Sequence, residues 1–452
     1  MSVEQKSGHR AVFTHGPIMR HVVVMAATGS IGLMAIFVVD LLSLLYVSWL
    51  GDHSLTAAVG YATQLSFFVI SISIGLSIAV GALVSRAIGS GDRIKAERLA
   101  TSCLIHVGII SSVITIVAYP FRGDLLHLLG ARGATLDTAS TFLAITLPST
   151  VPLALGMAMS GLLRAAGDAR RSMYVTLGGG LVTAVFDPLL IFGMGLGVQG
   201  AAITTDISRL AFAGVGVWGC MRVHKLIGRP QKYMLLSDLK TLLAIALPVI
   251  LTNLAAPVST SYAMSVYSSF GEATIAAVTI LDRLVGVGYG ALFALSGAVG
   301  PIIGQNYGAR LYDRIRRTLI DCFTLAIGYT IIVWAILWLA SPLILRLFSA
   351  SEESAGLVLF FCRFGALAWV FLGCIFVANA AFNNLGYPGL STLFNWGRAT
   401  LGTIPFVTLG AHYWGPEGAM LGIVAGAAIF GTAAVFVAFQ ITSRLARIKL
   451  LV

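Results

Sequence analysis

Apolar stretches long enough to cross a membrane follow one another along the chain, joined by short polar connections. This succession restricts the fold more than any single motif. Twelve such stretches read at roughly 22–50, 55–85, 97–118, 136–163, 172–194, 199–221, 240–269, 275–303, 317–340, 354–383, 391–410 and 417–441. A helix needs ~20 apolar residues to traverse the hydrocarbon core. In lipid every backbone N–H and C=O needs an internal partner, so the runs predict helices. The expected fold class is all-α, a polytopic membrane protein with 12 transmembrane helices. Charged residues make up only 10% of the chain, against about 25% in a soluble domain, which is too little charge to cover a water-facing surface.

The distribution of charge orients these helices. A net charge of +11 invites a nucleic-acid partner, but the basic residues form no single patch or tail. They recur in short clusters between the apolar runs, as cytoplasmic loops do. With the N-terminus inside, 22 of the 29 Lys and Arg fall in cytoplasmic segments and three (Arg122, Arg132 and Arg346) in outer loops. Lys6 and Arg10 belong to the polar, basic N-terminal stretch. The run after it is longer than a signal-peptide core and lacks a small-residue cleavage site, so it reads as the first span. Both termini are expected in the cytoplasm of an integral plasma-membrane (bacterial inner membrane) protein. The five cysteines all lie in apolar segments without a CxxC pair and read as small buried hydrophobes. No disulfide framework, zinc site or cofactor is expected.

The chain repeats itself. Gly89 through Arg98 and Cys103 align with Gly308 through Arg317 and Cys322 at an offset of 219. At that offset Gly167 and Ser172 match Gly386 and Ser391, and Ala57-Ala58-Val59 matches Ala276-Ala277-Val278. Near the ends, Gly197–Ala201 matches Gly415–Ala419 at 218. Six spans per half, starting from the same side, make the repeats parallel, related by an axis along the membrane normal. The expected organisation is an N-terminal lobe at 1–221, a basic cytoplasmic linker at 222–239 and a C-terminal lobe at 240–452. A substrate cavity between the two lobes is the expected consequence.

An ionisable residue inside a span costs about 2.5–3.5 kcal/mol on insertion scales and calls for a function or a partner. Asp40 in span 1 and Asp187 in span 5 are isolated acids. Counting back from Gly51 and Gly195 at ~1.5 Å per residue puts both about 10–17 Å below the outer face. Thr205 enters to a similar depth on span 6. Pro188 removes a backbone donor and frees the carbonyl of Ala184, while Thr183 lies one turn before Asp187 on the same face. Kinked backbone beside a carboxylate can hold a proton, water or a small cation. Asp206 and Arg209 are three apart and can neutralise each other. Asp282, Arg283, Asn379 and Arg398 are candidate cavity residues. Arg363 is a possible counter-ion or substrate contact. The second half has no counterpart to the acid pair, so the coupling site is expected in the N-terminal lobe.

Several segments carry a family resemblance. They are Val39-Asp40 with Trp49-Leu50-Gly51, Arg86–Gly89, Gly161-Leu-Leu-Arg-Ala-Ala-Gly-Asp168, Phe186-Asp-Pro-Leu-Leu-Ile-Phe-Gly193 running on to Gly200-Ala-Ala202, Val299-Gly-Pro, and Gly304-Gln-Asn-Tyr-Gly308. Together they resemble the multidrug and toxic compound extrusion (MATE) family over nearly the whole chain. The acid pattern is similar to its DinF-like branch. The resemblance implies a two-lobed secondary antiporter that exports cationic or amphipathic compounds by alternating access, in exchange for H⁺ or, as the weaker alternative, Na⁺. It assigns Asp40 and Asp187 to an N-lobe cation site, with Thr205 at the family's span-6 threonine. Thr183 stands where the family usually has asparagine. Spans 7 and 10 lack the deep acids of the NorM-like branch.

The alternative within the superfamily is a lipid-linked oligosaccharide flippase, favoured by Arg283, Arg363 and Arg398. A major-facilitator transporter fits less well, because Asp187-Pro188 and Gly304–Gly308 have no place in it. No HExxH or GxSxG motif points to an enzyme. The expected partners are small organic cations or amphipathic drugs and membrane lipids, with no nucleic acid. Short loops without an added domain predict a working monomer.

Overall fold

The computed structural model describes residues 11–50, 53–348 and 351–451. Lys6, Arg10 and Gly51, used above, lie outside the described residues. Within them the chain is all-helical, without strands. The first half holds α1 (Ile18–Ser48), α2 (His53–Gly89), α3 (Arg93–Ala118), α4 (Arg122–Leu128), α5 (Gly133–Thr146), α6 (Thr150–Ala165), α7 (Ala169–Pro188) and α8 (Gly197–Val217). The second holds α9 (Leu235–Ser268), α10 (Glu272–Gly308), α11 (Tyr312–Leu347), α12 (Glu352–Arg363), α13 (Trp369–Leu385), α14 (Pro388–Ala399) and α15 (Ile404–Leu451). The internal repeat reappears in these boundaries. The starts of α2, α3, α5 and α7 (53, 93, 133 and 169) recur 219 residues on, at 272, 312, 352 and 388.

Among the described residues nine helices are long and apolar enough to cross a membrane, and the pair α5 and α6, bent by 53°, makes ten. The 21-residue α8 and the two parts of the stretch Pro388–Arg447 stand where the sequence places its sixth, eleventh and twelfth spans. That stretch is interrupted at Trp414 and Gly415, the latter with φ +64°. Its glycines show how the two arms fold together. The backbone at Gly410 abuts Gly418, Phe406 abuts Gly422, and Gly402 abuts Gly426. One partner number falls by four as the other rises by four, which is the signature of an antiparallel helical hairpin. Glycine at every fourth position lets the two backbones approach without intervening side chains.

The bend between α5 and α6 falls at Pro148, where the sequence reads as one continuous span. Proline removes a backbone donor and breaks the ladder. At the bend Thr150 N bonds Leu147 O instead of Thr146 O, and two groups take up the Thr146 carbonyl. Arg209 donates to it at 2.7 Å, and Ser149 Oγ at 2.9 Å. Arg209, within a span, thus satisfies the broken helix of its neighbour.

The described chain forms two compact units. One comprises Ile31–Ile250 with Ala11 and Val12, the other Phe13–Ser30 with Leu251 onward. The divisions run inside α1 and α9, rather than through the basic linker. For α9 the cause is packing: Leu242, Ile245, Ala246 and Val249 are buried in the same core as Leu76, Val80, Leu162 and Leu163. In the first unit α2 packs on α6, and α7 on α8. In the second, α10 packs on α13, and α13 on α15. The Gly304–Gly308 motif has a structural role in that unit. Gln305 Oε1 accepts from Phe13 N at 2.8 Å, and Arg314 donates to Phe13 O at 2.9 Å and to Gly16 O at 3.1 Å. Asn306 Oδ1 accepts from Arg314 Nε at 3.1 Å, so the motif clamps the backbone that leads into α1.

The motif ending in Asp168 anchors the other unit. Asp168 caps α7 by accepting from Arg171 N at 3.0 Å, and it also binds the Arg171 guanidinium. His224 Nε2 lies 2.7 Å from its Oδ2. Burial alone would raise this carboxyl, but the His224 and Arg171 hydrogen bonds outweigh it and hold the group well below the usual carboxylate range. A carboxyl with a depressed folded-state pKa stabilises above its unfolded value of about 3.9 and loses that stabilisation only as pH falls further. The latch therefore persists through mild acid. Asp168→Asn is expected to cost about 1.5–3 kcal/mol at neutral pH, read as a lower apparent Tm in detergent. That deficit should shrink below pH 4, where the wild-type latch itself is being lost.

Candidate functional site

The two acids of the first unit come together. Asp187, 2% exposed, sits at the end of α7, where Pro188 is followed by a turn of π-helix over Leu189–Gly193. The missing proline donor is absorbed by widening the helix, a device frequent at functional sites. Ser43 Oγ on α1 donates to Asp187 Oδ2. The Thr204 hydroxyl, fully buried on α8, lies beside Asp187 and donates to the carbonyl of Gly200 at 3.0 Å. Asp40, one turn before Ser43, is exposed, and its charge interacts with that of Asp187. Three helices thus place two carboxylates and two hydroxyls in one site.

The structure brings together Asp40 and Asp187 but turns two other expected members aside. Thr204 and Thr205 both donate back one turn, Thr205 to Ala201 O at 2.9 Å, but it is the Thr204 hydroxyl that neighbours Asp187, while Thr205 is half-buried. The two differ by ~100° of helix rotation, which is set by how α8 packs on α7. Thr183 donates to Gly179 O at 3.2 Å, a carbonyl shared with Ser208 Oγ at 2.8 Å. It ties α7 internally and to α8. Ser43 escaped the sequence reading although its signal was present, a hydroxyl three residues after Asp40 on the same helix face. Ser43→Ala is expected to weaken several-fold the exchange transport that the family resemblance implies, while leaving the fold intact. Thr204→Ala should do the same, and Thr205→Ala should leave transport within about twofold, because only Thr204 meets the carboxylate. Initial rates in proteoliposomes measure all three.

Asp206 and Arg209 behave as a partly neutralised pair beside the α5–α6 bend. Arg209 donates to Ser149 Oγ at 3.0 Å and interacts electrostatically with Asp206. Asp206 Oδ1 remains buried without a hydrogen bond.

In the second unit Asp282 and Arg283 are exposed neighbours. Arg363 is exposed too, and its carbonyl accepts from Trp334 Nε1 at 2.8 Å. Asn379 is committed to helix packing: its Oδ1 accepts from Asn395 Nδ2 at 3.0 Å and its carbonyl from Ser391 Oγ at 3.3 Å. Trp369 stacks on Tyr289 at 4.8 Å between centroids, and Trp396 Nε1 donates to Leu251 O at 2.9 Å. Arg398 is half-buried.

Comparison with known proteins agrees with this architecture. The MatE family model matches residues 30–189 and 248–409. The FAD transporter of Shewanella oneidensis is 27% identical over 432 residues, covering 94% of this chain and 95% of that protein. The multidrug export protein MepA of Staphylococcus aureus is 26% identical over 336 residues, 72% of this chain and 73% of MepA. Among solved structures, a variant of the Vibrio cholerae MATE transporter VcmN superposes with TM-score 0.88 at 25% identity, covering 94% of this chain and 97% of that one. An outward-facing multidrug resistance MATE transporter superposes with TM-score 0.90 at 23% identity, covering 98% and 100%. The second likeness is one of fold.

Proposed function

Because the chain belongs to the MatE family, and is therefore an integral membrane transporter and not an enzyme, we propose that it exports cationic or amphipathic organic compounds by alternating access. Export is exchanged for protons taken up at Asp40 and Asp187. The observation that carries this reading is the Asp187 carboxylate held by Ser43 and Thr204 beside the charge of Asp40. Two carboxylates sharing a site repel when both are ionised, so the site favours taking up a cation.

The hydroxyl of Thr204 can follow the protonation state. It donates to Asp187 when the carboxylate is ionised. It donates to the Gly200 carbonyl at 3.0 Å, as in this structure, when Asp187 carries the proton and donates instead. The change alters the bonding between α7 and α8 at the kinked, π-helical end of α7. A proton can drive the cycle only if the two conformations bind it differently, and a hydrogen-bond network spanning α1, α7 and α8 supplies such a difference. Both termini in the cytoplasm, from the basic loops, and a monomeric working unit complete the reading.

Organic compounds of either charge fall within this reading, since relatives carry the names multidrug export protein and FAD transporter. The test uses proteoliposomes preloaded with a fluorescent organic cation and subjected to a pH gradient or a sodium gradient. Movement driven by the pH gradient alone is expected. Movement driven only by sodium would replace the coupling ion, and no movement under either would turn the reading to flipping of lipid-linked substrates.

A further inference from the structure

Arginines in and at the ends of the apolar segments differ in how they are satisfied. In the first unit Arg164 donates to Ser160 Oγ and Ser172 Oγ, each at 3.0 Å, and Arg209 has the partners described above. Arg398, in the last turn of α14, has no such set. Among the described residues its guanidinium takes part in no ion pair, and its Nε is buried without a hydrogen bond.

An arginine in the last turn of a helix ordinarily serves the free terminal carbonyls. Here those carbonyls are already taken. Trp396 O accepts from Thr400 N at 2.9 Å and from Thr400 Oγ1 at 2.7 Å. Gly397 O accepts from Gly402 N at 2.8 Å, and Arg398 O from Thr403 Oγ1 at 2.8 Å. Two acids of the same unit that lie within its spans are engaged elsewhere: Asp321 pairs with Arg317 at 2.9 Å, and Asp282 interacts with Arg283. The turn is walled by an apolar ring, because Gly397 and Gly402 lie directly against Phe430. A guanidinium in a span is costly unless something brings negative charge to it. Its flat fork of donors matches a carboxylate or phosphate far better than a cation or a neutral molecule.

We infer that Arg398 is the receptor for an oxyanion, phosphate or carboxylate, carried on an amphipathic molecule whose apolar body lies along the neighbouring ring. This inference rests on the proposed transport function and adds amphipathic compounds bearing an anionic group to its substrate class. The same chemistry is offered by a soluble organic anion and by a lipid phosphate.

The test is direct binding to the full-length protein in neutral detergent, read by fluorescence quenching with flavin mononucleotide and riboflavin. The two share a ring system and differ by one phosphate. The unaltered protein should bind the phosphate ester at least about tenfold more tightly. Arg398→Gln should erase that preference and leave riboflavin binding unchanged, while Arg398→Lys should keep part of it. Displacement of flavin mononucleotide by phosphatidylglycerol but not by phosphatidylcholine would assign the oxyanion to lipid. Displacement by neither assigns it to the soluble anion. Equal affinity of the unaltered protein for both flavins would overturn the anion site without recourse to any variant. An intact binding preference, with no gradient-driven export of any organic compound, would overturn the transport function and leave the anion site standing.

Discussion

Asp187→Asn should reduce gradient-driven export to the level of empty liposomes, while the purified protein keeps its apparent Tm and its affinity for substrate. Asparagine retains the shape of the side chain and can still accept from Ser43 and Thr204. What it lacks is a group that gains and loses a proton or binds a cation by charge. Asp40→Asn is expected to have the same effect, because the two charges interact and removing either leaves no pair for a cation to relieve. The discriminating measurement sets uphill export against downhill substrate exchange in the same vesicles. Loss of export with exchange retained would separate coupling from transport. Full uphill export in either variant would remove that carboxylate from the coupling site.

Gly426→Leu and Gly422→Leu should produce the largest loss of stability in the second unit. A Cβ at 426 would run into the backbone carbonyl of Gly402, and one at 422 into that of Phe406. Both obstacles are backbone, so no side chain can turn away to make room. Overpacking against mobile side chains costs about 1–3 kcal/mol. Here the two arms of the hairpin must separate, and the expected cost exceeds that range. Low expression and loss of a monodisperse peak in size-exclusion chromatography are the readouts. Gly286→Ala is the control: nothing lies within 4 Å of a Cβ there, and replacing a helical glycine by alanine at a compatible site is neutral or stabilising by about 0.4–1 kcal/mol. Equal damage from Gly286→Ala and Gly426→Leu would contradict the close-packed hairpin.

Part of the candidate site was legible before any fold was known. Asp40 and Asp187 stood out because a charge within a long apolar run has few harmless explanations, and Pro188 marked the place where a helix must deform. The hydroxyls were harder. Thr205 and Thr204 are adjacent in sequence, and a choice between them depends on the rotation of α8 about its axis. Small residues such as Gly200, Ala201 and Ala202 set that rotation through their contacts across the helix pair. A span with only a weakly one-sided apolar pattern carries no record of it, since lipid and protein interior are equally apolar. Asn379 misled for a related reason: in a span, an amide that binds substrate and one that ties two helices together look the same until the partner, here Asn395, is in view.

The sequence by itself determined that this chain is a helical membrane protein with an internal repeat of 219 residues, because hydropathy and repetition are local and additive along the chain. Tertiary structure alone decided where the units divide, which hydroxyl meets Asp187, how the Pro148 bend is satisfied by Arg209, and that Arg398 is left without a counter-charge. Each of these is a question of pairing between segments distant in sequence. Burial cost and hydrogen-bond geometry settle such pairings only when all the helices are in place.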